Sequence, residues 1–313
     1  MLQDNILLSV GIMTYNRNQL LKETIKSITK YANPKLEIII GNDYIDKKIT
    51  LKSLNIKDER IKIINNVENL GEMKNMMNIL HKSKGSFFTW IADDDYYIPE
   101  FFKIINNILE NNKKKVYFVQ HFTDILSIKN NNKKKLNFLP QKKFLDDYLS
   151  NKINIHGCYA VFEKKFLQSI KGMEILGCGF SPYSDVLLTI KSCQEKNIAI
   201  IDKPFIYYRL HDQSISYSSD NYISYTSAQK DLLKKIQDYN FLDDKQKYRL
   251  IITLSRDIIE IYFRSKLKLL HLISHLVSIS SYLSKLNILK LTYISSRFFL
   301  YKFLKNILMF IFK

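Results

Sequence analysis

The sequence predicts an α/β fold: a mostly parallel sheet with helices on both faces, followed by a C-terminal helical extension. Strand-length and helix-length apolar patterns alternate through the first hundred residues. The strand-length runs are continuously apolar rather than alternating, as expected of strands covered on both sides. Each run ends in a polar loop. In a parallel sheet such loops gather along one edge, where open α/β sheets bind their ligands.

In chain order, Ile6 to Met13 is a β-rich run closed by the polar turn Thr14-Tyr15-Asn16-Arg17. Asn18 to Tyr31 has helical spacing, with Leu20, Leu21, Ile25 and Ile28 on one face, and Asn33-Pro34 breaks it. Leu36 to Ile40 is a second strand closed by Gly41-Asn42-Asp43. Ile49 to Leu54 is a short helix and Ile61 to Ile64 a third strand. A helix from Glu72 to His81 leads into Ser86 to Ala92, a fourth strand, which runs into Asp93-Asp94-Asp95. Pro99-Glu100 opens the next helix, since proline suits the first helical position and an acid suits the N-terminal dipole. Three adjacent carboxylates repel one another. A solvated acidic turn relieves them, and so does a hard divalent cation held by oxygen ligands.

The remainder of the first 220 residues continues with a helix to Leu109, a strand over Val116–Val119, and a polar basic loop at Asn130 to Lys135. A helical segment follows from Leu139 to Leu149, then a strand-like run from Ile155 to Phe162. Gly177-Cys178-Gly179-Phe180-Ser181-Pro182 reads as a flexible loop before an apolar helix headed by Ser184 and Asp185. An Asp there is a common helix cap. Ile198 to Ile201 precedes Tyr207-Tyr208-Arg209-Leu210-His211.

The 313 residues, 46% hydrophobic and 13% aromatic, hold a sizeable core and exclude wholesale disorder. Lysine and arginine number 48 against 30 acids, a net charge of +18, so the partner is anionic: nucleic acid, a phosphorylated small molecule or an acidic membrane surface. Nucleic acid is the weakest of these, because no reader motif is present and the acidic triplet opposes phosphate. Three widely spaced cysteines, Cys158, Cys178 and Cys193, fit a reducing compartment. No secretory signal is read at the start of the chain, and no uncharged apolar run reaches spanning length.

The set Ser9 to Arg17, Glu37 to Asp43, Asn69-Leu70-Gly71, Asn75 and Ala92 to Asp95, in that order, resembles the family 2 glycosyltransferases. That resemblance implies a GT-A-type, Rossmann-like fold and an inverting, metal-dependent sugar transferase of the hexosyltransferase type. Two departures stand out: Asn42-Asp43-Tyr44-Ile45 replaces the family's Asp-Asp-Gly-Ser, and Ala92 stands where the acidic motif often begins.

By the resemblance, residues 1–115 bind a nucleotide-sugar and 116–220 face the acceptor. Tyr15 would lie along the nucleobase, Asp43 would hydrogen-bond it and Asp93 would approach the ribose. Thr14, Arg17, Asn69, Lys74 and Asn75 would line the donor site. Asp94 and Asp95, with His211, would hold Mn2+ or Mg2+. Asp185 would be the general base, in place of its role as a helix cap. His156 would face acceptor or phosphate, unless it is structural, and Arg209 would neutralise phosphate, unless it is a surface ion pair. The implied donor is a nucleotide-diphosphate sugar, with uridine the family's habit, and the acceptor a cell-surface glycan or lipid-linked hydroxyl. A nucleic-acid-binding protein and a catalytically silent scaffold of the same fold are the competing readings.

Residues 221–313 read as a helical, basic amphipathic region. From Ile261 to Lys313 there is no Asp or Glu and there are nine Lys or Arg, interleaved with Leu, Ile and Phe. Such helices lie on an anionic membrane surface or cap the catalytic domain. The expectation is a cytoplasmic protein, peripheral on the inner face of the cell membrane.

Overall fold

A computed structural model of the chain describes residues 6–31, 33, 35–98, 100–123, 136–178, 181–210, 222–264, 269–282, 295–297 and 299–300. Pro99, the basic loop at Asn130 to Lys135, Gly179, Phe180 and His211 lie outside the described residues. The chain forms two compact units, Met1–Glu174 with Asp185–His211, and Ile175–Ser184 with Asp212–Lys313.

The first unit opens with β1 (Leu8–Thr14), α1 (Asn18–Thr29), β2 (Leu36–Asn42), α2 (Leu51–Leu54), β3 (Ile61–Asn65), α3 (Glu72–Lys82) and β4 (Phe87–Ala92). The four strands lie in the order β3-β2-β1-β4, all parallel. Side chains alternate across β1. Leu8, Val10 and Ile12 pack on one face with Leu21, Ile25 and Ile28 of α1. Gly11 faces the other way, toward α3, where a Cβ would come within 2.7 Å of Ile79. Gly41 is as tight, since a Cβ there would sit 2.4 Å from Asn75 Oδ1. Helices therefore cover both faces of this half of the sheet, as its continuous apolar strands predict.

The second half is mixed. It comprises β5 (Tyr96–Tyr97), α4 (Phe101–Asn111), β6 (Val116–Phe122), β7 (Leu136–Pro140), α5 (Gln141–Leu149), a 3-10 turn (Gly157–Tyr159), β8 (Val161–Glu163), α6 (Lys164–Ser169), α7 (Ser184–Ser192) and β9 (Asn197–Tyr207). The sheet continues β4-β8-β6-β9-β5, with β7 also on β9. Among the described residues β6 and β9 are the one parallel pair here; β8 runs antiparallel to both neighbours, and β5 and β7 run antiparallel to β9.

Three local expectations change. Ile155 to Phe162 is a 3-10 turn before a short strand, not one strand. Gly157 brings this turn against the head of α7, where a Cβ would meet the Asp185 carbonyl at 2.2 Å. Two residues show no periodicity, so β5 exists only through its pairing with β9. Leu136–Pro140 is a strand held by β9, and Pro140 ends it at the N-cap of α5.

The second unit contains α8 (Tyr222–Gln237), α9 (Asp244–Arg264) and α10 (Leu269–Ser280). Helix α8 stops at Gln237. Asp243 starts α9: it accepts from the Gln246 N–H at 2.8 Å, while its own N–H donates to Gln246 Oε1 at 3.0 Å, a capping box. Tyr222, Ile258, Ile259 and Leu272 form the core of this unit. The Ile175–Ser184 segment is tied to α8 by the Gly177 N–H on Asp231 (2.8 Å) and the Cys178 N–H on Ser227 Oγ (3.2 Å). Among the described residues no helix is long and apolar enough to cross a membrane.

Candidate active site

Parallel register decides which loops meet. Thr14 stands beside Asn42, and Met13 beside Ala92. The chain therefore leaves β1, β2 and β4 at one level, which sets Tyr15, Asp43 and Asp93 along the same edge.

The acidic turn is held by the last residue of β1, by Arg17 at the N-cap of α1 and by Thr24 within α1. Thr14 Oγ1 donates to Asp93 Oδ2 at 2.6 Å, and Arg17 Nη1 reaches Asp93 Oδ1 at 3.2 Å and Asp94 Oδ2 at 2.7 Å. Thr24 Oγ1 lies 2.9 Å from the Asp93 carbonyl and 2.6 Å from that of Asp95. Asp95 turns away from the other two: its Oδ2 accepts from the Tyr159 hydroxyl and its Oδ1 from the Arg209 N–H at 2.8 Å. Mutual repulsion is thus relieved by one guanidinium and by divergence. Burial pushes the Asp93 carboxyl up to about 6, with Asp94 adding to the rise against the pull of Thr14, Arg17 and the Tyr15 N–H. Burial likewise raises Asp95 to about 6, opposed by Tyr159 and the Arg209 N–H.

Tyr15 is 51% exposed and meets Tyr44 edge to face, with ring centroids 5.2 Å apart. Next to this pair in the chain, buried Asp43 organises the 66–71 loop. Its Oδ1 accepts from Asn66 Nδ2 (2.8 Å) and the Leu70 N–H (2.9 Å), and its Oδ2 from the Gly71 N–H (2.8 Å). Asn69 accepts from the same Gly71 N–H at 3.0 Å. Asn75 is buried against the sheet, donating to the Gly41 carbonyl at 2.9 Å and accepting from Asn66 at 3.0 Å, so it braces β2 rather than facing solvent. Lys74 is exposed on α3.

Asp185 does two things at the head of α7. Its Oδ1 accepts from the Val186 N–H at 2.8 Å, and its Oδ2 lies 3.1 Å from His156 Nδ1. The His156 ring is boxed in by aromatic neighbours: His121 stacks on it at 4.4 Å, Tyr208 at 5.1 Å, and Tyr159 meets it edge-on at 5.5 Å. Burial, with His156 beside it, lowers His121 to about 3, so it is neutral near pH 7. Tyr159 touches both His156 and Asp95, which links the acidic turn to Asp185.

The structure adds residues that sequence reasoning missed. Tyr159, Thr24 and His121 are ordinary polar letters inside apolar runs, and only folding reveals their partners. Glu72, in the first turn of α3, is exposed as a residue, and its carboxyl is raised by desolvation, then by the charge of Asp185, with Asp94 and Asp93 adding and Arg17 opposing. Arg209 is tied elsewhere: its guanidinium pairs with Glu23 at 3.0 Å and lies over Tyr96. Among the described residues no three His, Cys, Asp or Glu side chains gather as a cation cage. Asp94 Oδ2 is paired with Arg17 at 2.7 Å, and a carboxylate of this kind is the sort of oxygen ligand that magnesium-like ions take together with substrate phosphates.

Residues 9–171, more than half of the chain, match the family model described as Glycosyl transferase family 2. The chain belongs to that family. Within this family 2 chain the match covers the acidic turn, Tyr159 and His156, and it stops before Asp185. One relative is a GalNAc(5)-diNAcBac-PP-undecaprenol beta-1,3-glucosyltransferase of Campylobacter jejuni, 38% identical over 91 residues. That match spans 28% of this chain and only 29% of the relative's length. A second is the UDP-Glc:alpha-D-GlcNAc-diphosphoundecaprenol beta-1,3-glucosyltransferase WfgD of Escherichia coli, 26% identical over 216 residues, 68% of this chain and 81% of WfgD. Among solved structures, S. aureus TarS 1-349 in complex with UDP-GlcNAc superposes with a TM-score of 0.63 at 15% identity, over 94% of this chain and 89% of that one. At that identity the likeness establishes the fold: this family 2 glycosyltransferase has the GT-A architecture that its motifs imply.

Proposed function

We propose that the protein transfers a sugar from a nucleotide-diphosphate donor, a UDP-sugar, to a hydroxyl of a lipid-linked glycan, with inversion and with Asp185 as general base. The observation that carries this reading is the Asp185–His156 pair at 3.1 Å, joined through Tyr159 to the acidic turn. The names of the two relatives, both acting on undecaprenol-linked acceptors, support the acceptor class, and TarS in complex with UDP-GlcNAc supports the donor class.

The acceptor hydroxyl is a weak nucleophile until its proton is removed. Asp185 Oδ2 takes that proton as the oxygen bonds to the anomeric carbon. The bond from that carbon to the diphosphate oxygen breaks, and its electron pair leaves with the nucleoside diphosphate. One displacement inverts the anomeric centre. His156 fixes the Asp185 carboxylate, and its packed ring leaves it little freedom to turn. Tyr15 and Tyr44 offer an aromatic edge for the base, with Asp43 holding the loop beneath, and Asp93 stands toward the ribose. Thr14, Arg17, Asn69 and Lys74 complete the donor side, with Asn75 as its brace.

A divalent cation, Mn2+ or Mg2+, would neutralise the charge growing on the leaving diphosphate. Asp94 would hold it. Asp95 backs that position with both oxygens already bonded, and His211 is the further ligand proposed from the sequence. The reaction would take place at the cytoplasmic face of an anionic membrane, where a lipid-linked acceptor resides.

The test is a thermal-shift series with UDP, UDP-glucose and UDP-GlcNAc, with and without manganese, since a specific ligand raises apparent stability with its occupancy. Stabilisation by UDP compounds, strengthened by manganese, is expected. Equal indifference to every nucleotide would remove the donor reading.

A further inference from the structure

Helix α10 shows two unlike faces. On one, Leu272 joins Tyr222, Ile258 and Ile259 in the core of the second unit, and buried His275 meets Gln229 of α8 through its Nε2. On the other, Leu270, Ile273 and Val277 are 72%, 48% and 65% exposed. Their spacing of three and four residues lines them up as one row. Single exposed aliphatic residues are ordinary on a protein surface, whereas three in a row on one helix call for a partner.

The surrounding sequence specifies the kind of partner. Glu260 is the last acid in the chain, and nine Lys or Arg follow it. An apolar row set within exclusively basic sequence complements a surface that is anionic at its face and apolar beneath it, which is a bilayer rich in anionic headgroups. With 12 residues α10 is too short to span. A second copy of this chain would oppose positive charge with positive charge, a poor basis for pairing.

We infer that the Leu270–Ile273–Val277 row of α10 enters the headgroup–acyl boundary of an anionic bilayer, drawn there by the basic residues flanking it in sequence. This deepens the membrane reading given above and is independent of sugar transfer, because vesicle binding requires no donor.

The full-length protein would be cosedimented with vesicles of phosphatidylglycerol or of phosphatidylcholine, alongside the triple variant Leu270→Gln, Ile273→Gln, Val277→Gln. Wild type should bind phosphatidylglycerol strongly, phosphatidylcholine weakly, and lose binding as salt rises. The triple variant should partition about a hundredfold less while keeping its circular dichroism and its UDP response. A single variant, Ile273→Trp, guards against misfolding of the triple one. The chain's own tryptophan, Trp90, is fully buried, so a blue shift of the added indole on phosphatidylglycerol reports insertion directly. The proposal is overturned if the wild type ignores both vesicles, if the folded triple variant binds as well as wild type, if the indole spectrum does not move, or if the row proves to bury itself in a dimer that the triple variant dissolves. Each of these would leave the transferase reading intact, and absence of nucleotide binding with normal vesicle binding would do the reverse.

Discussion

The two edges of the candidate site, proposed for the donor and for the acceptor, are built in different ways. At the donor edge, Thr14 ends β1 while Asp43 and Asp93 follow directly on β2 and β4, parallel strands in register with it, so the sheet ladder itself sets their spacing. At the acceptor edge, Asp185 heads a helix, His156 precedes a turn, and His121 lies on β6. These three meet through ring stacking, one hydrogen bond and the clearance that Gly157 provides. The first arrangement survives local change because many ladder bonds share the load. The second depends on a few contacts, and single substitutions there should be felt sharply.

The most severe test is Asp185→Asn. It retains the size and the Val186 cap interaction but removes the base, so turnover should fall by about a thousandfold or more while UDP still stabilises the protein. Steady-state rates beside thermal shifts would measure this, and near-normal transfer would dissolve the contrast between the two edges. Next is Arg17→Ala, which strips the cation from the Asp93–Asp94 pair. The partly buried acids left behind should cost about 2–3 kcal/mol in denaturant unfolding and weaken nucleotide binding.

His156→Ala should lower kcat by about ten- to a hundredfold with KM for the donor little changed. A purely structural histidine would instead depress stability and leave kcat of the folded protein in place. Tyr159→Phe removes the hydroxyl that bonds buried Asp95, a loss of about 1–3 kcal/mol. It should also slow transfer less than Asp185→Asn does.

A further effect concerns pH. His121 has its folded value lowered to about 3 from an ordinary 6.5. Its neutral form is the one the fold accepts, so its share of stability is present above about 6.5 and is lost as pH falls toward 3. His121→Phe keeps a ring to stack on His156 without a proton to gain. Its melting temperature should therefore decline less between those limits than that of the wild type in a pH series.

The sequence by itself determined the alternation of strands and helices, the polar edge, the acidic triplet and the family motifs. Each is a local signal: continuous apolar runs, helical spacing and turn residues act within a few positions of one another. It did not reveal β5 or β7, which exist only because β9 supplies their hydrogen bonds, nor the 3-10 turn that interrupts Ile155 to Phe162. Tertiary structure alone decided which carboxylate faces what. Asp93, Asp94 and Asp95 are identical in sequence, yet Arg17 claims two of them and Tyr159 the third, while Asp185 acquires His156 from 29 residues away. A carboxylate's chemistry is set by its neighbours in space and by how much water they exclude, and neither is written in adjacent letters.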